Sequence, residues 1–183
     1  MDTQVAWSWD LVNWTRPPQR EPFISKGFTG EFDSQMIYTA QAPVLIGGKL
    51  YFYYGGFDVP HNSRQFNGAI GIATLRLDGF CSMHADDDGG WLITRRERVD
   101  VPEIMINAAT GKDGYVKAEI LDLQGNIIPG FSMQDCIPFT GDSIGHKLKW
   151  KTDQSPKDQE KTVKKIRFYL KNADIYSYIP IYV

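Results

Sequence analysis

Ala42-Pro43-Val44-Leu45-Ile46-Gly47-Gly48-Lys49-Leu50-Tyr51-Phe52-Tyr53-Tyr54 decides the fold. Two runs rich in β-branched and aromatic residues flank a Gly-Gly pair, which supplies the positive φ angles that a tight hairpin turn requires. Working outward, Gly68-Ala69-Ile70-Gly71-Ile72-Ala73-Thr74-Leu75 predicts a third strand, ended by Asp78-Gly79. Trp91-Leu92-Ile93-Thr94 predicts another after the turn residues Asp86-Asp87-Asp88-Gly89-Gly90. Further strands are predicted over 103–108, 115–121, 144–150, 163–170 and 175–182, with turns at Lys112-Asp113-Gly114 and Gln124-Gly125-Asn126. Residues 129–138 read as irregular, and 155–161 as a short helix or loop. Strands every 8–15 residues or so, without intervening helices, indicate an antiparallel sandwich or barrel. The expected class is all-β: a jelly-roll-like antiparallel sandwich over 80–183, preceded by antiparallel strands over 1–79. Helix is expected in less than about a fifth of residues, against an ordinary level near a third.

Composition supports this class and excludes others. Gly 17 and Pro 10 among 183 residues give more turn formers than the average of about 12%. A hydrophobic content of 42% is enough to bury a core, which argues against disorder. No apolar run reaches the roughly 18 residues of a membrane helix, and Met1-Asp2-Thr3-Gln4 does not read as a signal peptide. The formal charge is −2, unevenly spread: 31–142 holds 15 acids against 8 Lys/Arg, whereas 147–171 holds 9 Lys/Arg against 3 acids. In Lys165-Ile166-Arg167-Phe168-Tyr169-Leu170-Lys171 the charges alternate with apolar residues, as on the wet face of a strand. No nucleic-acid motif accompanies them, so no nucleic-acid partner is expected. Cys81 and Cys136 show no metal-type spacing and read as two buried thiols.

Ser8-Trp9-Asp10-Leu11-Val12-Asn13-Trp14 is the most distinctive local motif. A Ser-x-Asp turn closes a hairpin through side-chain-to-backbone bonds, with Trp expected beneath it. The segment resembles the blade-turn motif of five-bladed β-propeller glycosidases of the family 32 and 43 type. The resemblance continues through Phe32-Asp33-Ser34-Gln35-Met36-Ile37-Tyr38, Tyr53-Tyr54-Gly55-Gly56-Phe57-Asp58 and Ile70-Gly71-Ile72-Ala73-Thr74. Residues 90–178 look like the β-sandwich that follows the propeller in family 32-like proteins, with Asn107, Val116–Asp122, Ile128-Pro129-Gly130-Phe131-Ser132, Asp135-Cys136, Gly141-Asp142-Ser143 and Lys171-Asn172-Ala173-Asp174-Ile175-Tyr176-Ser177 as its pieces. The resemblance implies a last propeller blade or two plus the sandwich: the C-terminal portion of a glycosidase-like, carbohydrate-active protein. One departure matters. The early-blade motifs Asn-Asp-Pro-Asn-Gly, Arg-Asp-Pro and Glu-Cys, which carry the catalytic acids in that family, are missing. Hydrolysis needs two carboxyls about 5–9.5 Å apart. Asp10, Glu21, Glu31, Asp33 and Asp58 are available, but nothing in the sequence pairs two of them. The expectation is therefore a chain that is not catalytic alone, with a non-catalytic carbohydrate-binding or structural module as the alternative.

Asp33, Tyr54, Asp58, His61 and Asn62 are the candidate sugar-contacting residues. The loop Gly55-Gly56-Phe57-Asp58-Val59-Pro60-His61-Asn62 leaves a strand end beside Tyr53 and Tyr54, where an aromatic face and short polar groups suit a sugar ring. Against this, Asp and Asn are ordinary turn formers. Asp86-Asp87-Asp88-Gly89-Gly90 lacks the alternating ligands of a calcium loop, so neither a metal nor a cofactor is expected. His61, His84 and His146 accompany no nucleophile-elbow sequence, and no phosphate-cradling loop precedes a helix. Trp7, Trp9, Trp14 and Tyr51, Phe52, Tyr53, Tyr54 are expected to leave apolar area open, which favours a homodimer through the N-terminal strands.

Overall fold

The computed structural model describes residues 1–98, 103–152 and 163–180; the expected helix or loop at 155–161 lies outside them. The structure is all-β and antiparallel, with no helix among the described residues. The chain divides into two compact units, Met1–Leu77 and Asp78–Val183.

The first unit is built on a four-stranded sheet. Strands β1 (Met36–Thr39) and β2 (Val44–Ile46) pair with successive stretches of one edge of β3 (Lys49–Phe57), and β4 (Gly68–Arg76) pairs with the other. Gly47 and Gly48 have φ of 57° and 77°, the left-handed pair that a two-residue hairpin demands. Period-2 alternation then sets two faces. On one, Phe23 packs edge-on to Phe52, Phe32 stacks on Tyr54, and Ile37 is buried opposite Gly56. The other carries Tyr38, Val44, Ile46, Tyr53, Ile70 and Ile72, all exposed. Upstream, the Ser8–Asn13 turn forms as its residues dictate. Ser8 Oγ accepts from the Leu11 amide at 2.8 Å, and Asp10 Oδ1 from the Val12 and Asn13 amides at 2.9 and 2.7 Å. These donors, Asn13 first, hold the Asp10 carboxyl well below the usual carboxylate range. Trp7 and Thr15 bridge across the hairpin. The tryptophans are not beneath it, however: Trp9 is 92% exposed, with Trp7 and Trp14 also open.

The second unit pairs β5 (Met83–Ala85), β6 (Gly90–Ile93), β7 (Glu97–Arg98), β8 (Ile104–Leu121), β9 (Asp142–Lys147) and β10 (Val163–Pro180) into one six-stranded sheet. Two predicted strand pairs turn out to be single long strands. Residues 103–108 and 115–121 join in β8, and the predicted turn at Lys112-Asp113-Gly114 is a bulge within it; 163–170 and 175 onward join in β10. The bulge sets four residues, 111–114, against the single residue Asn172, whose φ of 41° breaks β10 at the same level. The Asn172 amide donates to Asp86 O, and its side-chain amide to Lys112 O, both at 2.8 Å. The β5–β6 turn at Asp86–Gly89 thus meets the same line, so three neighbouring columns bend together. Both halves of the bent sheet send apolar residues into one core: Ile104, Ile106 and Ala108 from one, Val116, Ala118, Ile120, Ile166 and Phe168 from the other. Residues 127–139, predicted irregular over most of their length, cover the free edge of β8 through bridges at Ile127 and Phe139.

Both cysteines are free, but only one matches the expected burial. Cys136 is buried, its sulfur accepting from the Ala118 amide at 3.3 Å, and burial pushes its thiol pKa up. Cys81 is exposed, correcting the expectation of two buried thiols. Reaction with a thiol-specific dye should therefore consume one equivalent rapidly in the folded protein and the second only in denaturant. Two rapid equivalents would contradict the packing around Cys136.

Candidate functional site

The faces of the first sheet separate the candidate residues. Tyr54 occupies an even position of β3 and lies across Gly71, where a Cβ would collide with the phenol ring. From there its hydroxyl donates to Asp33 Oδ2 at 2.8 Å. Asp33 is buried against Gly56, which again leaves no room for a side chain. Desolvation first, then the Asp33 hydrogen bond, raises the Tyr54 phenol pKa, so the hydroxyl stays a donor at neutral pH. The glycines of the Tyr-Tyr-Gly-Gly and Ile-Gly-x-Ala-Thr stretches thus act as seats for this pair.

Glu31 joins Asp33 in a way that sequence reading did not find. Both carboxylates crowd the side of Gly27 where a Cβ would point. Each has an oxygen within 2.4 Å of that position, which puts the two oxygens closer together than the roughly 5–9.5 Å by which two carboxyls flank a glycosidic bond. Each is also committed: Asp33 to Tyr54, and Glu31 Oε2 to the Phe28 amide at 2.7 Å. The two carboxyls hold a loop.

Asp58, His61 and Asn62 leave β3 at its far end. Asp58 accepts from the Asn67 backbone and side-chain amides, both at 3.3 Å, which closes the base of the loop. Asn62 is exposed. His61 instead turns towards the sheet face opposite Asp33, where Met36, Tyr38, Phe57, Val59, Pro60, His61, Ser63 and Phe66 line an open cleft of about 330 Å³. Phe57 stands edge-on to both Tyr38 and Phe66, with centroids 6.0 and 5.6 Å apart. The Tyr38 hydroxyl and His61 Nδ1 are 3.4 Å apart, beyond the usual hydrogen-bond range. The cleft therefore offers an aromatic wall and loosely held polar tips. Tyr38, Ser63 and Phe66 are not among the candidates that the sequence offers, and Phe57 enters only as part of the 55–62 loop. The parity of Phe57 against Tyr54 on β3 is the available signal, because adjacent strand residues face opposite ways, whereas Tyr38 joins the Phe57 face only through its pairing with Gly55.

The second unit holds a cleft of about 280 Å³ lined by Met83, Leu92 and 175–178, but its polar groups are occupied. Ser177 donates to Asp78 at 2.6 Å and the Tyr178 hydroxyl to Glu97 at 2.7 Å. Ser82 and His84 both approach Asp174 Oδ1, at 2.7 and 3.1 Å. The serine hydroxyl is given to the carboxylate and not to the imidazole, so no base activates it. No group of three or more His, Cys, Asp or Glu among the described residues could hold a metal ion. No helix among them is long and apolar enough to cross a membrane.

Comparison with known proteins finds no family profile, no curated protein and no solved structure that matches this chain.

Proposed function

We propose that the chain contacts saccharide without hydrolysing it, as the C-terminal portion of a glycosidase-like, carbohydrate-active protein. The observation that supports this reading is the cleft of Tyr38, Phe57 and Phe66. An aromatic wall matches the apolar face of a pyranose or furanose ring, and the tips of Tyr38, His61 and Ser63 match its hydroxyls. The Asp33–Glu31 pair favours the non-catalytic half of the proposal, since its carboxyls sit side by side. The resemblance to family 32 and 43 proteins supplies the finer architecture: a propeller-blade-like first unit, and a bent second sheet taken as a folded-over, jelly-roll-like sandwich.

A glycan array on the purified chain tests the reading. It should find at least one bound glycan, and Phe66→Ala, at an exposed position, should weaken that binding about tenfold, a loss of about 1.4 kcal/mol. Aryl glycosides and fructans should not be turned over above background. Sustained hydrolysis that disappears in Asp33→Asn or Asp58→Asn would overturn the non-catalytic reading, and an empty array would overturn the saccharide reading.

A further inference from the structure

We propose that the free edge of β4 is the docking surface for a second copy of this chain, the two β4 strands pairing antiparallel about a two-fold axis at Gly71. Hydrogen bonding fixes which groups face that edge. The Leu77 amide donates to Gly48 O at 2.9 Å, which makes Lys49–Arg76 a non-hydrogen-bonded pair of the β3–β4 ladder. The register runs unshifted from there to Phe57–Gly68, so every second pair is alike. Gly68, Ile70, Ile72 and Thr74 therefore turn their N–H and C=O groups away from β3. β4 pairs with β3 alone among the described strands, and no backbone bond from a described loop reaches these four residues. On the opposite side of the sheet, β1 gives its Ile37 amide to Met1 O at 3.2 Å. The β4 edge also lacks the usual protection: from Gly68 to Leu75 it has no proline, no bulge and no charged residue.

The strand is complementary to itself. Ala69-Ile70-Gly71-Ile72-Ala73 reads the same in both directions. An antiparallel copy centred on Gly71 sets Ile70 opposite the partner's Ile72, Ala69 opposite the partner's Ala73 and Gly68 opposite the partner's Thr74. Each outward donor then meets an outward acceptor, and the five central residues each meet their own kind. Such self-complementarity is what a two-fold contact requires. On the open face, Ile70 and Ile72, 74% and 54% exposed in the single chain, become β-branched cross-strand neighbours. On the other face only Ala69, Gly71 and Ala73 meet, which leaves room for the Tyr54 ring that lies across Gly71. A one-residue slip would set outward groups against inward ones. The pairing stops at Thr74, so Arg76 keeps its own contact outside it. No residue lining the saccharide cleft belongs to β4.

Sedimentation at micromolar concentration, without sugar, reads this separately from the saccharide proposal. The wild-type chain should run at twice its 20.8 kDa mass. Ile72→Pro removes an outward donor and no bond to β3, a change that an edge strand accepts. It should raise the dimer dissociation constant at least about a hundredfold, because the partner's Ile70 carbonyl is left unpaired and the axis repeats the loss. Ile70→Lys, which keeps the backbone donor and sets two cations diagonally across the axis, should also give a monomer. Leu11→Lys, at the exposed hairpin tip, should leave the dimer unchanged, and all three variants should keep the wild-type β circular dichroism. Hydrogen exchange then reads the register: the Ile72 and Thr74 amides should exchange at least about tenfold more slowly in the wild-type dimer than in Ile70→Lys. A wild-type monomer would overturn the proposal. So would a dimer that survives Ile70→Lys, or one in which the Ile72 and Thr74 amides exchange as fast as in the monomer. Open-ended assemblies would also overturn it, because the two-fold pairing leaves no β4 edge free.

Discussion

Phe168→Ala is expected to destabilise the second unit by about 3–5 kcal/mol, the range for a large aromatic removed from a packed core. Phe168 is completely buried in the middle of β10, the strand that pairs with β5, β6, β7 and β8. Its ring lies 5.3 Å from that of Tyr178, and Ile166 and Leu170 flank it on the same face. Collapse around the missing ring is hindered, because the flanking residues are fixed by ladders on both edges of the strand. For a unit of this size the loss corresponds to a fall in melting temperature of more than about 12 °C. Thermal denaturation followed by circular dichroism checks it. A cost below about 1 kcal/mol would mean that β10 does not run through a close-packed core.

Gly114→Ala should cost about 3 kcal/mol, the upper part of the range for overpacking. The atoms that an added Cβ would meet are the Asn172 and Lys171 carbonyl oxygens, which are backbone and cannot rotate aside. The bulge would have to open, loosening the Asn172 side-chain bond to Lys112 O that ties β8 to β10 at the bend. Gly125→Ala provides the contrast. Gly125 has open space around it and a φ of 94° in the turn closed by Asp122 and Asn126, so only backbone strain of about 1–2 kcal/mol is expected. Chemical denaturation of both variants should rank Gly114→Ala as the more damaging. Equal or reversed effects would show that the bend is not tightly packed.

The same bend marks where sequence reading stops. Alternation placed Ile166, Phe168 and Leu170 in the core with Lys165, Arg167 and Tyr169 on the other face, because period 2 is a local property. The Gly47-Gly48 hairpin was legible for the same reason. Lys112-Asp113-Gly114 reads as a turn because Asp-Gly is a turn-forming pair, and the bulge uses the same local geometry, with a positive φ at Asp113. Only the partner strand distinguishes them, through a long-range bond such as that from Asn172. At the site, Asp33 and His61 each lie where a useful polar group could be expected, but they are on opposite faces of one sheet. The five candidates form two separate groups. Glu31 and Asp33 meet only because Gly27 arrives from elsewhere in the loop, and no spacing rule anticipates that.

Amide chemical-shift mapping of the isotopically labelled chain, titrated with a glycan that it binds, tests the saccharide cleft most directly. Shifts are expected to concentrate at 36–38 and 57–66 and to saturate with the ligand, with Asp33, Tyr54 and the Ser8–Asn13 turn unmoved. Shifts centred instead on Asp33 and Tyr54, or on the exposed tryptophans Trp9 and Trp14, would contradict it.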